Sequence, residues 1–287
     1  MCIYEIHFLR LTLRRNMPLL LSTVTEEVHK LYNTAAPKWR SYTPTQHDMN
    51  ELEMNSVAND QFDKKSLKHR VWTEYKSGSY KCVGKQCEYG IVVALLPPSS
   101  NIPLEDWGRI FQWFGKAASG ELWKVYWFAS PVKRTFPNPG EELGPGHVNG
   151  GYTFPCSTKG IFIYRLEEAT RVLIHELLHA ACLNPADASL PVIEATVETW
   201  AEILLIAFRS RGSPQRAQEL WRKQADWIVA TNHKADIKHG VKDNTDYAWR
   251  YMNGRAEIYE GLGFVLPGTA NIEGSSLSTR FTHPILE

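Results

Sequence analysis

The stretch that decides the fold is GIFIYRLEEATRVLIHELLHA, residues 160–180, because a strand pattern in it leads directly into a helix pattern. Residues 160–165 are rich in β-branched and aromatic side chains, which favours a strand. The helix is predicted over residues 166–183, and Glu167 and Glu168 in its first turn suit the positive end of the helix dipole. This segment therefore predicts a strand of a sheet joined directly to a helix.

Two histidines stand four residues apart in that helix, in the sequence His175-Glu176-Leu177-Leu178-His179. Residues at this spacing project from one face of a helix, so both imidazoles can bind one zinc ion. The glutamate beside the first histidine is placed to activate a water on that ion. A catalytic site needs a third protein ligand. The next helix, predicted over about 189–210, carries three acidic residues at steps of four, which are Glu194, Glu198 and Glu202.

Strand and helix patterns continue on both sides of this segment. Further strands are predicted at residues 69–75, 89–96, 121–129 and 147–154. Further helices are predicted after a capping box at 23–26, within 35–68, and over about 103–119, 214–230 and 245–262. The order of elements predicts an α+β fold, with mixed strand and helix up to about residue 183 and mostly helix after it.

Residues 121–205 resemble the zincin metallopeptidases, and within them the glutamate-ligand branch (gluzincins) typified by thermolysin. That branch has a second helix with the motif Glu-Ala-x-x-Asp/Glu, and Glu194-Ala195-Thr196-Val197-Glu198 matches it. The resemblance implies Glu194 as the third zinc ligand and Glu198 as a partner of a zinc-binding histidine. The interval from His179 to Glu194 is fifteen positions, shorter than is typical of the branch, and the interval to Glu198 is nineteen. Glu198 therefore remains an alternative third ligand.

The resemblance also implies an architecture. We expect a twisted mixed sheet with an antiparallel edge strand packed on the active-site helix, followed by a mainly helical C-terminal part. The implied division is an N-terminal extension (1–68), an α/β subdomain ending in the motif helix (69–184) and a helical subdomain with the third ligand (185–287). The stretch from His147 through the motif helix is also similar to uncharacterised metallopeptidase-like proteins of large DNA viruses.

Residues 147–154 stand where the edge strand is expected. An edge strand can pair with an extended peptide through its free backbone groups, and glycines allow close backbone approach. We expect substrate contacts from Asn149, Gly150, Gly151 and Tyr152. An ordinary hairpin with a glycine bulge is the alternative interpretation.

These residues predict a zinc-dependent metallopeptidase whose cofactor is Zn²⁺ and whose partner is a peptide or protein substrate. His175, His179 and Glu194 would bind zinc, which lowers the pKa of a bound water from about 15.7 to about 7. Glu176 would act as the general base. A second electrophile for the oxyanion is expected downstream, and Tyr251 is preferred among the candidates, which also include Tyr247, His233 and His239.

Three alternatives stay open. The chain could be a non-catalytic, zinc-containing module that binds peptides with the same fold. It could belong to the deformylases, which use a cysteine ligand, and Cys156 is the nearest upstream candidate. Lys133 and Arg134 could bind a substrate carboxylate, as in a carboxypeptidase, or could be two solvated loop charges.

Composition narrows the remaining classes. The chain has 43% hydrophobic and 22% charged residues and a net charge of +1, so no basic bias predicts nucleic-acid binding. No apolar run approaches the roughly 20 residues of a membrane-spanning helix. We predict no signal peptide and therefore a cytoplasmic protein with reduced thiols. Cys82 and Cys87, on either side of a turn predicted near Gly84, are interpreted as spare thiols.

Overall fold

The computed structural model describes residues 17–138, 140–270, 272 and 277–287. Within them, nine α-helices surround one mixed sheet of six strands, which confirms the predicted α+β class. The strands are β1 (Arg40–Ser41), β2 (Lys81–Gln86), β3 (Gly90–Leu96), β4 (Trp123–Phe128), β5 (Gly151–Thr153) and β6 (Ile161–Ile163). The helices are α1 (Leu19–Tyr32), α2 (Gln46–Val57), α3 (Leu67–Lys76), α4 (Leu104–Phe114), α5 (Pro145–Val148), α6 (Ala169–Ala180), α7 (Leu190–Arg209), α8 (Pro214–His239) and α9 (Asn253–Gly261), with 3₁₀ turns at Tyr247–Tyr251 and Pro284–Leu286.

The strand order is β1-β2-β3-β4-β6-β5. The central pairs β3–β4 and β4–β6 are parallel, and the remaining pairs are antiparallel. β5 is the last strand and pairs antiparallel with β6, so that Gly151 lies opposite Ile163 and Thr153 opposite Ile161. The edge position expected near residue 150 is therefore occupied by an antiparallel strand, although a short one.

The two faces of the sheet carry different cores because side chains alternate along a strand. On β3, Val92 and Ala94 belong to the larger core with α4, α6 and α7. Val93 and Leu95 belong to a smaller core with α2 and α3 on the opposite face. Every residue of α6 is buried, since this helix lies between the sheet and α7. The motif helix α6 thus lies at the centre of the larger core, between the sheet and α7.

The first described segment joins the same core. α1 buries Leu21, Val24 and Val28 against α7 and α8, and β1 pairs with β2 at the far edge of the sheet. The division into parts at residues 68 and 184 stays a prediction. The helix itself begins at Leu19, so the capping box predicted at residues 23–26 is wrong.

The strand predicted at residues 69–75 is wrong, because this segment lies in α3. Its β-branched and aromatic residues suggested a strand, but the buried residues Leu67, Val71 and Trp72 follow helical spacing. They pack one helix face against the sheet. The turn predicted near Gly84 is also wrong, since Gly84 lies within β2 and pairs with Val93.

Other elements differ in extent. The strand predicted at 147–154 shrinks to Gly151–Thr153, because Pro145–Val148 forms a helical turn before it. The helix predicted at 245–262 divides into a 3₁₀ turn and α9 around Met252. α8 continues nine residues beyond the predicted end at 230 and stops at Gly240, which adopts a left-handed conformation.

The state of the cysteines differs in part from the prediction of reduced thiols. Cys156 and Cys182 form a disulfide, so the prediction that all thiols are reduced is wrong for this pair. Cys82 and Cys87 are free, as predicted. In the part of the chain that the structure describes, no helix combines the length and apolar character that crossing a membrane requires.

Candidate metal centre and cleft

The candidate centre is built on α6. His175 and His179 lie one turn apart on the face that meets α7, and their Nε2 atoms are 3.1 Å apart. Both imidazoles are buried because α6 is covered on all sides. The two nitrogens therefore converge on one small volume, as the spacing in the sequence predicts.

Glu194, from the first turns of α7, reaches the same volume. Its Oε2 lies 3.4 Å from His175 Nε2, and its Oε1 lies 3.6 Å from His179 Nε2. Ligand atoms about 2.1 Å from a tetrahedral zinc ion lie about 3.4 Å from one another. The two imidazole nitrogens are 3.1 Å apart and each has one Glu194 oxygen at a similar distance, and imidazole nitrogen and carboxylate oxygen are both zinc donors. These three residues can therefore hold a metal ion.

The second nitrogen of each imidazole faces an oxygen atom. Glu198 Oε2 lies 3.1 Å from His175 Nδ1, and Asn184 Oδ1 lies 2.7 Å from His179 Nδ1. An acceptor at Nδ1 favours the tautomer whose Nε2 lone pair is free for a metal. Glu194 thus lies on the metal-facing side of the imidazoles, and Glu198 lies behind them. Asn184 was not anticipated from the sequence, where its only signal is its place just after the motif helix.

Negative charge accumulates at this point. Burial disfavours a charged imidazole, yet the carboxylates of Glu194 and Glu198 outweigh it and raise the pKa of His175 to about 10. For Glu194, burial acts to raise the pKa, but hydrogen bonding to the two histidines holds it well below the usual range. The surroundings therefore favour a cation between these side chains, and a divalent metal ion meets that requirement.

Glu176 lies on the same helix and is 5% exposed. Burial raises the pKa of its carboxyl group, while the neighbouring histidines oppose the shift. A carboxyl group whose pKa is shifted toward neutrality is a more effective proton acceptor and donor at neutral pH. Glu176 also lines a cleft between β5 and the start of α7, so its carboxylate is available to a bound molecule.

The three donor residues open onto this cleft, which has a volume of about 240 Å³. No lysine, arginine or aspartate is among the described residues that line it. Its apolar wall consists of Phe62, Tyr152, Pro155, Leu190 and Ile193. The cleft thus combines the candidate metal centre with a surface suited to uncharged groups.

Two glycines let β5 lie close to α6. A Cβ atom on Gly151 would stand 2.5 Å from Val172 Cγ1, and one on Gly150 would stand 2.3 Å from Arg134 Nη2. Both distances are too short for real contacts, so side chains here would push β5 away from the helix. Gly151 lines the cleft beside Asn149, whereas Gly150 lines a smaller cavity of about 30 Å³ behind it. The Tyr152 ring stacks on Phe162, so only part of this side chain borders the cleft.

Tyr251 is the only one of the four candidate electrophiles that reaches the metal-facing side among the described residues. Its hydroxyl donates to Glu194 Oε2 at 3.2 Å and borders the cleft. Tyr247 is paired with the Asn149 amide instead. His233 is exposed on α8, and His239 stacks on Phe136 away from the cleft. Tyr251 is thus placed as the sequence interpretation requires.

Buried ion pairs support the centre from behind. Arg171 donates to both Glu198 oxygens at 2.6 and 2.7 Å and lies 3.7 Å from Glu168. Glu168 also accepts from the backbone N–H and the hydroxyl of Thr282, near the end of the chain. Phe281 stacks on Tyr251 at 5.3 Å and lies under the Arg171 guanidinium. These contacts join segments far apart in sequence, which sequence patterns do not reveal.

The structure gives no support to two of the alternatives. Arg134 is 1% exposed, pairs with Glu168 at 3.0 Å and holds the carbonyl of Val148, so it is not a solvated loop charge. Neither Lys133 nor Arg134 lines the cleft. Cys156 is bonded to Cys182 and offers no free thiolate as a metal ligand.

The chain was compared with family models, with curated proteins and with solved structures, and none of the three comparisons finds a match. The function of the chain is therefore inferred from its own residues and their geometry.

Proposed function

We propose that this protein is a zinc-dependent peptidase of the zincin type, with His175, His179 and Glu194 as the zinc ligands. The observation that carries the proposal is the convergence of two imidazole nitrogens and the Glu194 carboxylate on one small volume, beside a buried glutamate. An edge strand runs along the same cleft, which is where an extended peptide would lie.

A bound Zn²⁺ would polarise the scissile carbonyl and lower the pKa of a water molecule to about 7. The chain supplies the remaining functions. Asn184 and Glu198 orient the two imidazoles through Nδ1. Arg171 keeps the Glu198 carboxylate ionised and in place, because its guanidinium binds both oxygens.

Glu176 is the proposed proton carrier. Its carboxylate accepts a proton from the attacking water and passes it to the leaving amine, and burial brings its pKa toward the range this requires. The Tyr251 hydroxyl, beside the ligand carboxylate, is the proposed donor to the developing oxyanion. Burial keeps this phenol protonated, since it raises the pKa of Tyr251 well above its usual value.

The residues that line the cleft also limit the class of substrate that we propose. β5 offers backbone groups along its outer edge, and the described lining carries no lysine or arginine that would bind a C-terminal carboxylate. Leu190 and Ile193 lie on the wall beside Glu194. We therefore propose an endopeptidase that accepts an internal peptide bond next to an apolar side chain.

The test is hydrolysis of a blocked peptide library, with zinc content measured on the same samples. Glu176→Gln should keep one zinc per chain and lose turnover by about 10²–10⁴-fold, because only the proton carrier is removed. Tyr251→Phe should also keep zinc and lose about 10²-fold or more in turnover if its hydroxyl binds the oxyanion.

A zinc-loaded wild type that binds peptides but cleaves none would favour the alternative, a zinc-containing binding module. Full activity of Glu176→Gln would refute the assignment of the proton carrier. A wild type that takes up no zinc after saturation and desalting would refute the metal centre itself.

A further inference from the structure

A second cavity lies apart from the metal centre. It is enclosed by the loop at 133–137, the C-terminal half of α8 and residues 277–287 near the end of the chain. Its volume is about 920 Å³, within the range of about 300–1,000 Å³ usual for small-molecule sites. Of the residues that the structure describes, none lines both this cavity and the metal cleft. Its chemistry can therefore be considered separately from the proposed peptidase activity.

The cavity concentrates positive charge. The chain as a whole carries a net charge of only +1. Among the described residues, the cavity wall has five lysine and arginine side chains against two glutamates, an excess of three positive side-chain charges. The basic residues are Lys133, Arg134, Lys234, Lys238 and Arg280, and the acidic residues are Glu167 and Glu287. Concave walls of one charge sign focus the potential and attract ions of the opposite sign.

No acidic side chain in the described part of the chain pairs with the three lysines. Within the described ranges, Lys133, Lys234 and Lys238 form no ion pair with an acidic side chain. Lys234 is nevertheless held in place, because its Nζ lies 4.4 Å from the centroid of the Phe136 ring. His239 stacks on the same ring at 5.4 Å. Part of the wall is therefore ordered before any ligand arrives.

Arg280 adds an unsatisfied donor. Its side chain is only 9% exposed, and its Nη1 pairs with Glu287 Oε2 at 2.5 Å. Its Nη2 is buried and has no hydrogen-bond partner among the described residues. A buried guanidinium N–H without an acceptor is costly, so Arg280, which lines the cavity, keeps hydrogen-bonding capacity that the described residues leave unused.

We propose that this cavity binds an organic phosphate, whose phosphate oxygens contact Lys234, Lys238 and Arg280. Several basic side chains on one cavity wall suit a group with two negative charges and three acceptor oxygens, and arginine binds such groups with paired N–H donors. The volume exceeds that of a single phosphate ion, so a larger body is attached to it. That body could belong to a soluble ester or to a lipid headgroup, and the experiment separates these two sources.

The experiment is calorimetric titration of the full chain with pyrophosphate, with ATP and with a soluble short-chain phosphatidylinositol phosphate. 1,10-Phenanthroline, a neutral chelator, is present throughout so that no probe binds through a metal ion. We expect saturable one-to-one binding of at least one probe. ATP binding identifies a soluble ester, and binding of the lipid alone identifies a headgroup. Pyrophosphate, which has no organic body, measures the contribution of the phosphate groups alone.

The variant is Lys234→Gln with Lys238→Gln, which should weaken binding at least tenfold. The matched control is Arg216→Gln with Lys223→Gln, on the same helix and with the same loss of charge, where both residues pair with Glu219 outside the cavity. It should change the Kd less than twofold. Both double variants replace side chains at least partly exposed, so their melting temperatures should match that of the wild type. Absence of saturable binding by every probe at 1 mM, or equal weakening in the control, would overturn the proposal.

Discussion

Replacing Glu194 and Glu198 separately by glutamine decides which of them binds the metal. Glu194 places Oε2 3.4 Å from Nε2 of His175 and Oε1 3.6 Å from Nε2 of His179, whereas Glu198 lies 3.1 Å from Nδ1 of His175. In Glu198→Gln the amide oxygen can still accept from Nδ1, so only the charge is lost. We expect zinc affinity to fall by about 10–100-fold, or roughly 1.4–2.8 kcal/mol. Glu194→Gln removes a ligand and should cost at least about another factor of ten.

For folding stability, in contrast to zinc affinity, Glu198→Gln should have the larger effect of the two substitutions. Glu198 is fully buried and neutralises Arg171, so Glu198→Gln leaves a buried guanidinium with one distant partner, Glu168 at 3.7 Å. Loss of one partner of a buried pair costs about 3–5 kcal/mol. The Glu194 side chain is 17% exposed, and its loss should cost less. The two variants should therefore rank oppositely in metal affinity and in folding stability.

The assays are competition with a fluorescent zinc chelator and urea unfolding of the metal-free proteins. Glu202→Gln is the matched control, because Glu202 lies one turn beyond Glu198 on α7 and pairs with Arg255 rather than with a histidine. It should leave zinc affinity unchanged. The reasoning is refuted if Glu198→Gln abolishes zinc binding while Glu194→Gln retains it, because Glu198 would then be the ligand.

Three further predictions concern the surroundings of the centre. Gly151→Ala should destabilise the fold by about 1–3 kcal/mol, since the new methyl group would overlap Val172 and the Phe162 carbonyl. Urea unfolding should show no such loss for Gly261→Ala, where a methyl group meets open space. For Glu168, burial opposes ionisation but the charges of Arg134, Arg171 and Arg280 prevail and lower the pKa to about 2. Its contribution to stability is complete above about pH 4.5 and is lost as the pH falls toward 2. Between pH 6 and pH 3 the free energy of unfolding of the wild type should therefore fall by about 2 kcal/mol more than that of Glu168→Gln. An equal dependence on pH in the two proteins, measured by urea unfolding, would contradict this. Replacing Cys156 and Cys182 by serine should cost about 3–4 kcal/mol, from the loop that their disulfide closes. Thiol titration of the denatured wild type should then find at most three of the five cysteines free, and a count of five would show that the bond does not form.

Most long elements could be predicted from local patterns. β3 is marked by a short apolar run rich in β-branched residues. α4 follows its apolar periodicity closely, because burial of one helix face imposes that period on the sequence. The α6–α7 pair is marked by two long helical segments with turn residues between them. α3 could not be identified in this way. Its residues favour a strand by composition, and only packing of Leu67, Val71 and Trp72 on the sheet makes a helix the better solution.

The residues of the candidate site also differ in whether local sequence patterns could identify them. His175, Glu176 and His179 could be identified from the sequence alone, because i,i+4 spacing on a helix is a local geometric property. Asn184, Arg171 and Thr282 could not, since their roles depend on contacts made only when distant segments meet.

Local sequence patterns are sufficient to predict the motif helix, the acidic face of the helix after it and the α+β class. The choice between Glu194 and Glu198 as the residue facing the two Nε2 atoms depends on how the helices pack together. Both glutamates lie one turn apart on the same helix face, so their spacing in the sequence does not show which of them faces the Nε2 atoms. The two glutamates differ in their position relative to α6. That position is set by the packing of α7 on α6 across the whole core rather than by any local pattern.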